Sequence, residues 1–278
     1  MPDLVRSNPL RRLVIFAHYD RDDSVRPYIW HYLKALRPFA TEIWFVSTSR
    51  LGDADRSALA DLCDRCQTKE NVGLDFGMWQ HALLGTSMEG WDEVLLTNSS
   101  VYAPLHPLDA FFQRIAATEG DFLGVTESSE LDPHLQSYFL LFRSPVLRHP
   151  AWMRFWEGLL PYSDKRQTIR SYELGLTYWM RQHGFLSVTL FPRAILRKRL
   201  SLLREPGLLL RRRRRRGRNP VIAWPDLLLE EGCPFLKVEV LRDNPTKVPL
   251  AALRRRIEAL GYPIELITSN PPNIYTVG

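Results

Sequence analysis

The chain of 278 residues contains only three cysteines, Cys63, Cys66 and Cys233. So few cysteines exclude a small secreted fold held by several disulfides, and Cys63 and Cys66 lack the second pair that a zinc site would need. The sequence also lacks any apolar run close to the roughly 20 residues that a membrane-spanning helix requires. Residues 1–12 do not have the apolar region of a secretory signal. We therefore expect a cytoplasmic protein with structural cysteines.

The sequence also lacks a dinucleotide-binding fingerprint, because no Gly-x-Gly-x-x-Gly follows the first predicted strand. What is present is the composition of an ordinary globular protein, with 45% apolar and 24% charged residues. A chain of this length can bury a sizeable core as one large domain.

Positive charge is concentrated in one segment. Between Arg193 and Arg218, twelve residues are Lys or Arg and only Glu205 is acidic, a net charge of +11, so the rest of a chain of net charge +6 carries −5. Leucines lie between these charges, which suits an anionic membrane surface, where each Lys or Arg adds about 1 kcal/mol. A solvated loop explains Arg211–Arg216 equally well. No nucleic-acid-binding motif accompanies the run, so we expect no nucleic acid partner.

Short apolar runs alternate with helical spacing up to about residue 192. The predicted strands are Arg12–Ala17, Glu42–Ser47, Glu93–Thr97, Asp121–Thr126, Gln136–Phe142, Ser187–Phe191 and Pro234–Arg242. The predicted helices lie near residues 29–36, at Asp53–Cys66, from Pro107, and at Trp152–Leu160, Ser171–His183 and Pro249–Leu260. The alternation predicts a single α/β domain over residues 1–278, with a mostly parallel sheet covered by helices. A basic excursion at about 193–219 and a C-terminal strand and helix complete it.

Clusters of polar residues lie at the predicted strand ends. They are His18–Asp22, Glu70–Trp79, Asn98–Pro104, Thr126–Ser128 and His134–Tyr138. A turn or a helix cap explains any one cluster. Because ligands of parallel sheets bind at the carboxyl ends of the strands, the five clusters together predict a binding site at that edge.

Several segments occur in a characteristic order between about residues 12 and 246: ENVGLDFGMW, LLTNSSVYAPLHPL, DFLGVTES, HLQSYFLLF, YELGLT and PFLKVEVLRDNP. In this order they resemble the rhamnan synthesis protein F family, bacterial enzymes of polysaccharide and O-antigen assembly. The resemblance implies a GT-A-like (Rossmann-like) α/β fold, with helices on both faces of the sheet. It also implies a glycosyltransferase that uses a nucleotide-sugar donor, GDP- or dTDP-linked, often an activated rhamnose or another deoxyhexose. The implied acceptor is a lipid-linked or growing glycan at the cytoplasmic face of the inner membrane.

One position departs from the family's pattern. Where the family has Asn-Asp-Ser, this chain has Asn98-Ser99-Ser100, so Ser99 replaces the carboxylate that would hold a divalent cation. Mg²⁺ and Mn²⁺ prefer charged oxygen ligands, so a metal cofactor is in doubt and we predict no metal ligand. Two alternatives follow. One is metal-independent transfer, and the other is an inactive chain that binds nucleotide-sugar or glycan as a partner in a polysaccharide assembly complex.

When the nucleoside diphosphate leaves, negative charge develops on it. If no metal stabilises this charge, fixed cations must do so. Lys237 and Arg242 are candidates, and alternation along a strand would place them on opposite faces, so we favour Lys237 alone. Asp75 is either a donor contact or a helix cap, and Gly73 and Gly77 would allow close approach of the backbone to the ligand. The remaining predicted donor-binding residues are His18, Asp20, Asn71, Phe76, Asn98, Ser100 and Gln136.

An inverting transfer also needs a base that deprotonates the acceptor hydroxyl. The resemblance implies Glu173, in the segment SYELGLT, for this role. Glu127 and His134 are rival candidates. Alternatively, Glu173 is a first-turn charge that stabilises its own helix.

Overall fold

A computed structural model describes residues 9–160, 162, 165–201 and 219–269. The predicted membrane-binding run Arg211–Arg216, with most of the basic excursion, lies outside these residues. In the part of the chain that is described, no helix is both long and apolar enough to cross a membrane.

Seven strands form a central sheet in the order β10-β6-β9-β4-β1-β2-β3. Six run in one direction and β9 runs in the other. Two further pairs, β11 with β5 and β7 with β8, lie outside the sheet. The strands are β1 Arg12–His18, β2 Glu42–Ser47, β3 Arg65–Thr68, β4 Glu93–Asn98, β5 Val101–Tyr102, β6 Phe122–Gly124, β7 Glu127–Ser128, β8 His134–Leu135, β9 Phe139–Arg143, β10 Ser187–Thr189 and β11 Leu236–Lys237.

The helices lie between these strands along the chain and after the last of them. They are α1 Pro27–Leu36, α2 Asp53–Leu62, α3 Leu74–Leu83, α4 Leu108–Ala116, α5 Ser144–Leu147, α6 Pro150–Glu157, α7 Lys165–Thr168, α8 Leu174–Gln182, α9 Arg193–Ser201, α10 Pro220–Ala223, α11 Pro225–Glu230, α12 Val238–Arg242, α13 Leu250–Ala259 and α14 Glu265–Thr268. A 3₁₀ turn at Arg37–Phe39 follows α1, and a π-helical turn at Ile169–Glu173 joins α7 to α8.

Strand β1 is buried on both faces. Leu13, Ile15 and Ala17 belong to one apolar cluster and Val14 and Phe16 to the other. Helices α1, α2, α4 and α13 contribute to the second cluster, and α3, α6 and α8 to the first. A strand covered on both faces has a continuous apolar run in its sequence, so β1 could be predicted from the sequence. The predicted α/β class, a mostly parallel sheet with helices on both faces, is confirmed.

The parallel strands end together, and this creates the edge on which the site is built. Ala17 of β1 pairs with Asn98 of β4, and His18 pairs with Ser47 of β2. The loops after β1 and β4 therefore leave the sheet side by side. The segment after β3 begins next to them, because Ser47 also pairs with Thr68.

Two of the predicted elements were wrong. The helix predicted at Asp53–Cys66 ends at Leu62, and Arg65–Thr68 forms an edge strand whose side chains are mostly exposed, so no apolar run marks it. The strand predicted at Pro234–Arg242 covers only Leu236–Lys237. After Lys237 the chain turns into α12, because its buried residues, Val238, Val240 and Leu241, face the core from a helix rather than from alternate sides of a strand.

Candidate active site

A cleft of about 1340 Å³ opens at the carboxyl ends of β1 and β4. Ten of the thirteen predicted site residues line it: Asp20, Asn71, Asp75, Phe76, Asn98, Ser100, His134, Gln136, Glu173 and Lys237. These residues come from six parts of the sequence, so the fold brings together clusters that the sequence showed only separately.

A chain of hydrogen bonds crosses one side of the cleft and joins an ammonium group to a carboxylate. Lys237 Nζ donates to Ser100 Oγ at 3.1 Å, and Ser100 Oγ donates to Asn98 Oδ1 at 2.5 Å. Asn98 Nδ2 then donates to Asp75 Oδ2 at 2.9 Å. Hydrogen bonds with a charged partner are roughly twice as strong as neutral ones, and this chain has a charge at each end. We call these four residues the Asp75–Lys237 network.

Lys237 and Arg242 both line the cleft, so the prediction that they lie on opposite faces was wrong. Lys237 ends β11, which pairs with β5 through Lys237 and Val101, and the amide of Val238 donates to the Ser100 carbonyl at 3.0 Å. Strand alternation stops there because helix α12 begins. Arg242, at the end of that helix, is paired with Asp243 at 2.8 Å.

Two of the rival base candidates are neighbours. Glu173 Oε2 lies 4.0 Å from His134 Nε2, and both side chains are largely buried. Glu173 Oε1 accepts a hydrogen bond of 2.7 Å from the Ser137 amide. His134 Nδ1 lies 2.7 Å from the Asp132 carbonyl, which can only accept, so Nδ1 carries the proton and Nε2 faces Glu173. The carboxylate is thus held in place with one oxygen toward the imidazole.

The sequence missed an ion-paired arginine on the cleft wall. Arg26 donates to both carboxylate oxygens of Asp20, at 2.8 and 3.1 Å, and also to Asp22. Burial by itself would raise the pKa of Asp20, but the hydrogen bonds from Arg26 and from the Asp22 amide outweigh it and the pKa is lowered. Arg26 directly precedes Pro27, which opens α1, and this loop-end position was the available signal.

A second network that the sequence missed joins the cleft to the chain after the basic excursion. Gln136 Nε2 donates to Asn219 Oδ1 at 3.0 Å, and Gln136 Oε1 accepts from Thr126 at 2.7 Å. Asn219 Nδ2 donates to Glu130 at 3.3 Å. Asn219, the first residue described after position 201, is therefore hydrogen-bonded to the cleft wall.

Three predicted site residues do not line the cleft. His18 is fully buried at the end of β1, with Nδ1 2.9 Å from Ser47 Oγ. Gly73 takes a left-handed conformation, φ 85°, that glycine adopts without strain, and it caps α3. Glu127 faces β10 and α9, where it accepts from the Thr189 hydroxyl and the Arg193 amide, both at 3.4 Å.

His18 should make the protein sensitive to mild acid. Burial lowers the pKa of this imidazole from its ordinary value of 6.5 to about 4. Above about pH 6.5 the imidazole is neutral whether the chain is folded or unfolded. As the pH falls from there to about 4, only the unfolded chain binds the proton, which costs about 3 kcal/mol of stability in total.

We expect His18→Asn to remove this part of the pH dependence when unfolding free energies are measured by urea denaturation at about pH 7 and at about pH 4.5. The matched control is His81→Asn, since His81 is exposed on α3. A wild-type loss that persists unchanged in His18→Asn would contradict the assignment.

Gly77 lies close to the backbone of the loop before α3. Its lack of a side chain is explained by this packing, which corrects the expectation that it lets the backbone approach the ligand. A Cβ at this position would lie 2.3 Å from the carbonyl oxygen of Val72. Because a backbone atom cannot move aside cheaply, Gly77→Ala should destabilise the protein by about 1–3 kcal/mol.

The control for Gly77→Ala is Gly175→Ala in α8, where a Cβ meets nothing within 4 Å. Alanine is the better helix former, so this change should be neutral or stabilise by up to about 1 kcal/mol. Equal denaturation midpoints for Gly77→Ala and wild type would show that the loop before α3 can relax.

The cleft residues do not fit a divalent cation. Among the residues that the structure describes, no group of three His, Cys, Asp or Glu side chains is placed to hold a metal. Asn98 Oδ1 already accepts from the amide and the hydroxyl of Ser100, at 3.1 and 2.5 Å, which uses both of its lone pairs. Ser99 supplies no carboxylate.

Comparison with known proteins places the chain among polysaccharide-synthesis proteins. The family model described as Rhamnan synthesis protein F matches residues 43–276. The chain is 28% identical over 146 residues to the uncharacterized protein y4gN of Sinorhizobium fredii, covering 50% of this chain and 38% of that protein. It is 27% identical over 209 residues to the virulence protein VirA of Vibrio anguillarum, covering 68% and 67%. The chain thus matches well under half the length of the first of these relatives.

Two solved structures are similar at low identity. One is a putative nucleotide-diphospho-sugar transferase of Desulfovibrio desulfuricans G20, at 14% identity and TM-score 0.37, covering 66% of this chain and 80% of that one. The other is S. aureus TarS, at 15% identity and TM-score 0.35, covering 50% and 48%. Because the family match spans most of the sequence, the chain belongs to the rhamnan synthesis protein F family.

Proposed function

We propose that this chain transfers rhamnose or another deoxyhexose from a GDP- or dTDP-linked donor to a polysaccharide or O-antigen acceptor at the cytoplasmic face of the membrane. One observation carries the proposal: a single cleft combines the Asp75–Lys237 network with the Glu173–His134 pair. The first is suited to hold a polar donor and the second to activate an acceptor hydroxyl. Membership of the family supports the choice of sugar.

On the donor side, Asp75 and Asn98 offer a carboxylate and an amide to the hydroxyls of the ribose or the sugar. Asn98 is almost fully buried and its amide is already held by Asp75 and Ser100, so its orientation is fixed before the donor binds. Groups that are oriented in advance pay no reorganisation cost during the reaction. The cations that line the cleft for the diphosphate are Arg21, Arg26, Lys237 and Arg242.

On the acceptor side, the acceptor oxygen attacks the anomeric carbon while the bond from that carbon to the diphosphate oxygen breaks. The hydroxyl proton passes to Glu173, and the nucleoside diphosphate leaves with the electron pair. The Ser137 amide holds one oxygen of Glu173 at 2.7 Å, and His134 Nε2 lies 4.0 Å from the other. A displacement of this kind inverts the anomeric centre.

The two ends of the basic excursion support a membrane-facing acceptor. At one end, the Arg193 amide donates to Glu127, and its guanidinium donates to Ser129. At the other end, Asn219 bonds to Gln136 in the cleft wall. Asn219, which directly follows segment 193–218 with its twelve basic residues, thus lies at the cleft wall. Binding to phosphatidylglycerol vesicles at low salt, compared with neutral vesicles, tests this part, and equal binding to both would contradict it.

The experiment that tests the function is a panel of nucleotide-sugars, GDP- and dTDP-deoxyhexoses included, added to the purified chain while its melting temperature is measured. A ligand that binds only the folded state raises this temperature by mass action, so even a slow enzyme reveals its donor. We expect a rise with one nucleotide series and release of the nucleoside diphosphate from the same donor. No rise with any donor would contradict the proposal.

A further inference from the structure

Several oxygen atoms at the turn after β4 and beside it accept hydrogen bonds within the protein. Asn98 Oδ1 accepts twice from Ser100, Asp75 Oδ2 accepts from Asn98, and the Ser99 carbonyl accepts from the Tyr28 hydroxyl at 2.7 Å. A Mg²⁺ or Mn²⁺ ion would have to displace several of these contacts to find oxygen ligands here. The donor set therefore disfavours a metal at the place where the family's pattern has a carboxylate.

The ammonium group of Lys237 places a positive charge of the protein itself at the same turn. Lys237 Nζ donates to Ser100 Oγ at 3.1 Å and lies 5.3 Å from the centre of the Tyr138 ring. A divalent cation bound by Asn98 and Ser100 would lie within a few ångströms of this ammonium and be repelled by it. The pairing of β11 with β5 holds the backbone of Lys237 against Val101, so the lysine is part of the site's construction.

Two other cations that line the cleft are paired with carboxylates. Arg26 is paired with Asp20 and Asp22, and Arg242 with Asp243. Lys237 is connected to Asp75 through the side chains of Ser100 and Asn98, and these hydrogen bonds hold its ammonium group at the turn after β4.

Resting on the proposed function, we propose that Lys237 is the cation that stabilises the departing diphosphate, and that this chain binds a nucleoside diphosphate and transfers the sugar without a divalent metal. Ser100 is a positioning residue: its hydroxyl accepts from Lys237 and donates to Asn98, and so fixes where the ammonium lies. Preorganised charge of this kind needs no ion to be recruited before the leaving group departs.

The test is titration calorimetry of GDP, dTDP and UDP into the full chain, once with EDTA and once with excess Mn²⁺. We expect one nucleotide to bind, with dissociation constants that agree within about twofold between the two conditions. Lys237→Met should weaken that binding about 10- to 100-fold in both, as expected for loss of a charged hydrogen bond. Lys237→Arg should retain more of the affinity than Lys237→Met because it keeps the charge, and Lys34→Met, on the exposed face of α1, should bind as wild type does.

The outcomes separate this inference from the proposed function. Binding of one nucleotide only when Mn²⁺ is present would overturn the role of Lys237 and leave the glycosyltransferase standing. No binding of any nucleotide in either condition would overturn both. If Lys237→Met is unstable by its melting temperature, Ser100→Ala serves instead: it keeps the ammonium but removes its acceptor, so metal-free binding should weaken by a few-fold.

Discussion

Replacement of Glu173 by glutamine is expected to lower the turnover of sugar transfer by about 100- to 10,000-fold, the usual contribution of a general base. Glutamine keeps an oxygen that can accept from the Ser137 amide, which Glu173 does at 2.7 Å, so the local structure should survive. Only the ability to take a proton is lost. The measurement is turnover at saturating donor and acceptor, with donor affinity determined separately and expected to be unchanged.

Two further variants make the Glu173 result specific. Glu119→Gln changes an exposed glutamate that does not line the cleft and should leave turnover unchanged. His134→Gln should lower turnover less than Glu173→Gln does, because it keeps the carboxylate and removes only an imidazole whose Nε2 lies 4.0 Å from it. Wild-type turnover in Glu173→Gln would contradict the assignment, and a larger loss in His134→Gln would make the histidine the base.

Asp75→Asn should lower kcat/KM for the donor by about 10- to 100-fold, because the proposed contact between Asp75 and the donor would lose its charge. Asparagine can still accept from Asn98 Nδ2, now 2.9 Å from Asp75 Oδ2, so the Asp75–Lys237 network should remain formed. The loss should appear mainly in donor affinity, measured by initial rates over a range of donor concentrations, and less in turnover at saturation.

The control for Asp75 is Asp61→Asn, which removes an exposed carboxylate from α2. If Asp75 is only a helix cap, then Asp75→Asn should change the melting temperature and leave donor KM as it is. Unchanged kinetics together with a lowered melting temperature would therefore contradict its role as a donor contact.

The central strands could be predicted from the sequence because burial on both faces leaves an apolar run. Residues 12–17 and 93–97 are such runs, and both strands were found nearly to the residue. Strand β3 was missed because its side chains are polar and mostly exposed at the sheet edge. The segment after Lys237 was misread because Val238, Val240 and Leu241 suit an alternating strand as well as a short buried helix.

The sequence predicted which strand ends would form the candidate site, but not how their side chains would be arranged. Asp75, Asn98, Ser100 and Lys237 were named separately, and only the fold shows that they form one network. His18 was misjudged as a site candidate, since a histidine at a strand end can turn into the core and bond to Ser47. Whether residues 1–278 make one domain stays a prediction.

The measurement that tests the function most directly is release of nucleoside diphosphate, followed by chromatography, from GDP- and dTDP-deoxyhexoses incubated with wild type and with Asp75→Asn. We expect wild type to consume one donor, and Asp75→Asn to consume it about 10- to 100-fold more slowly when the donor concentration lies below KM. Consumption of no donor would contradict catalysis by this chain and favour the non-catalytic binding partner. Equal consumption by the two proteins would contradict the role of Asp75 as a donor contact.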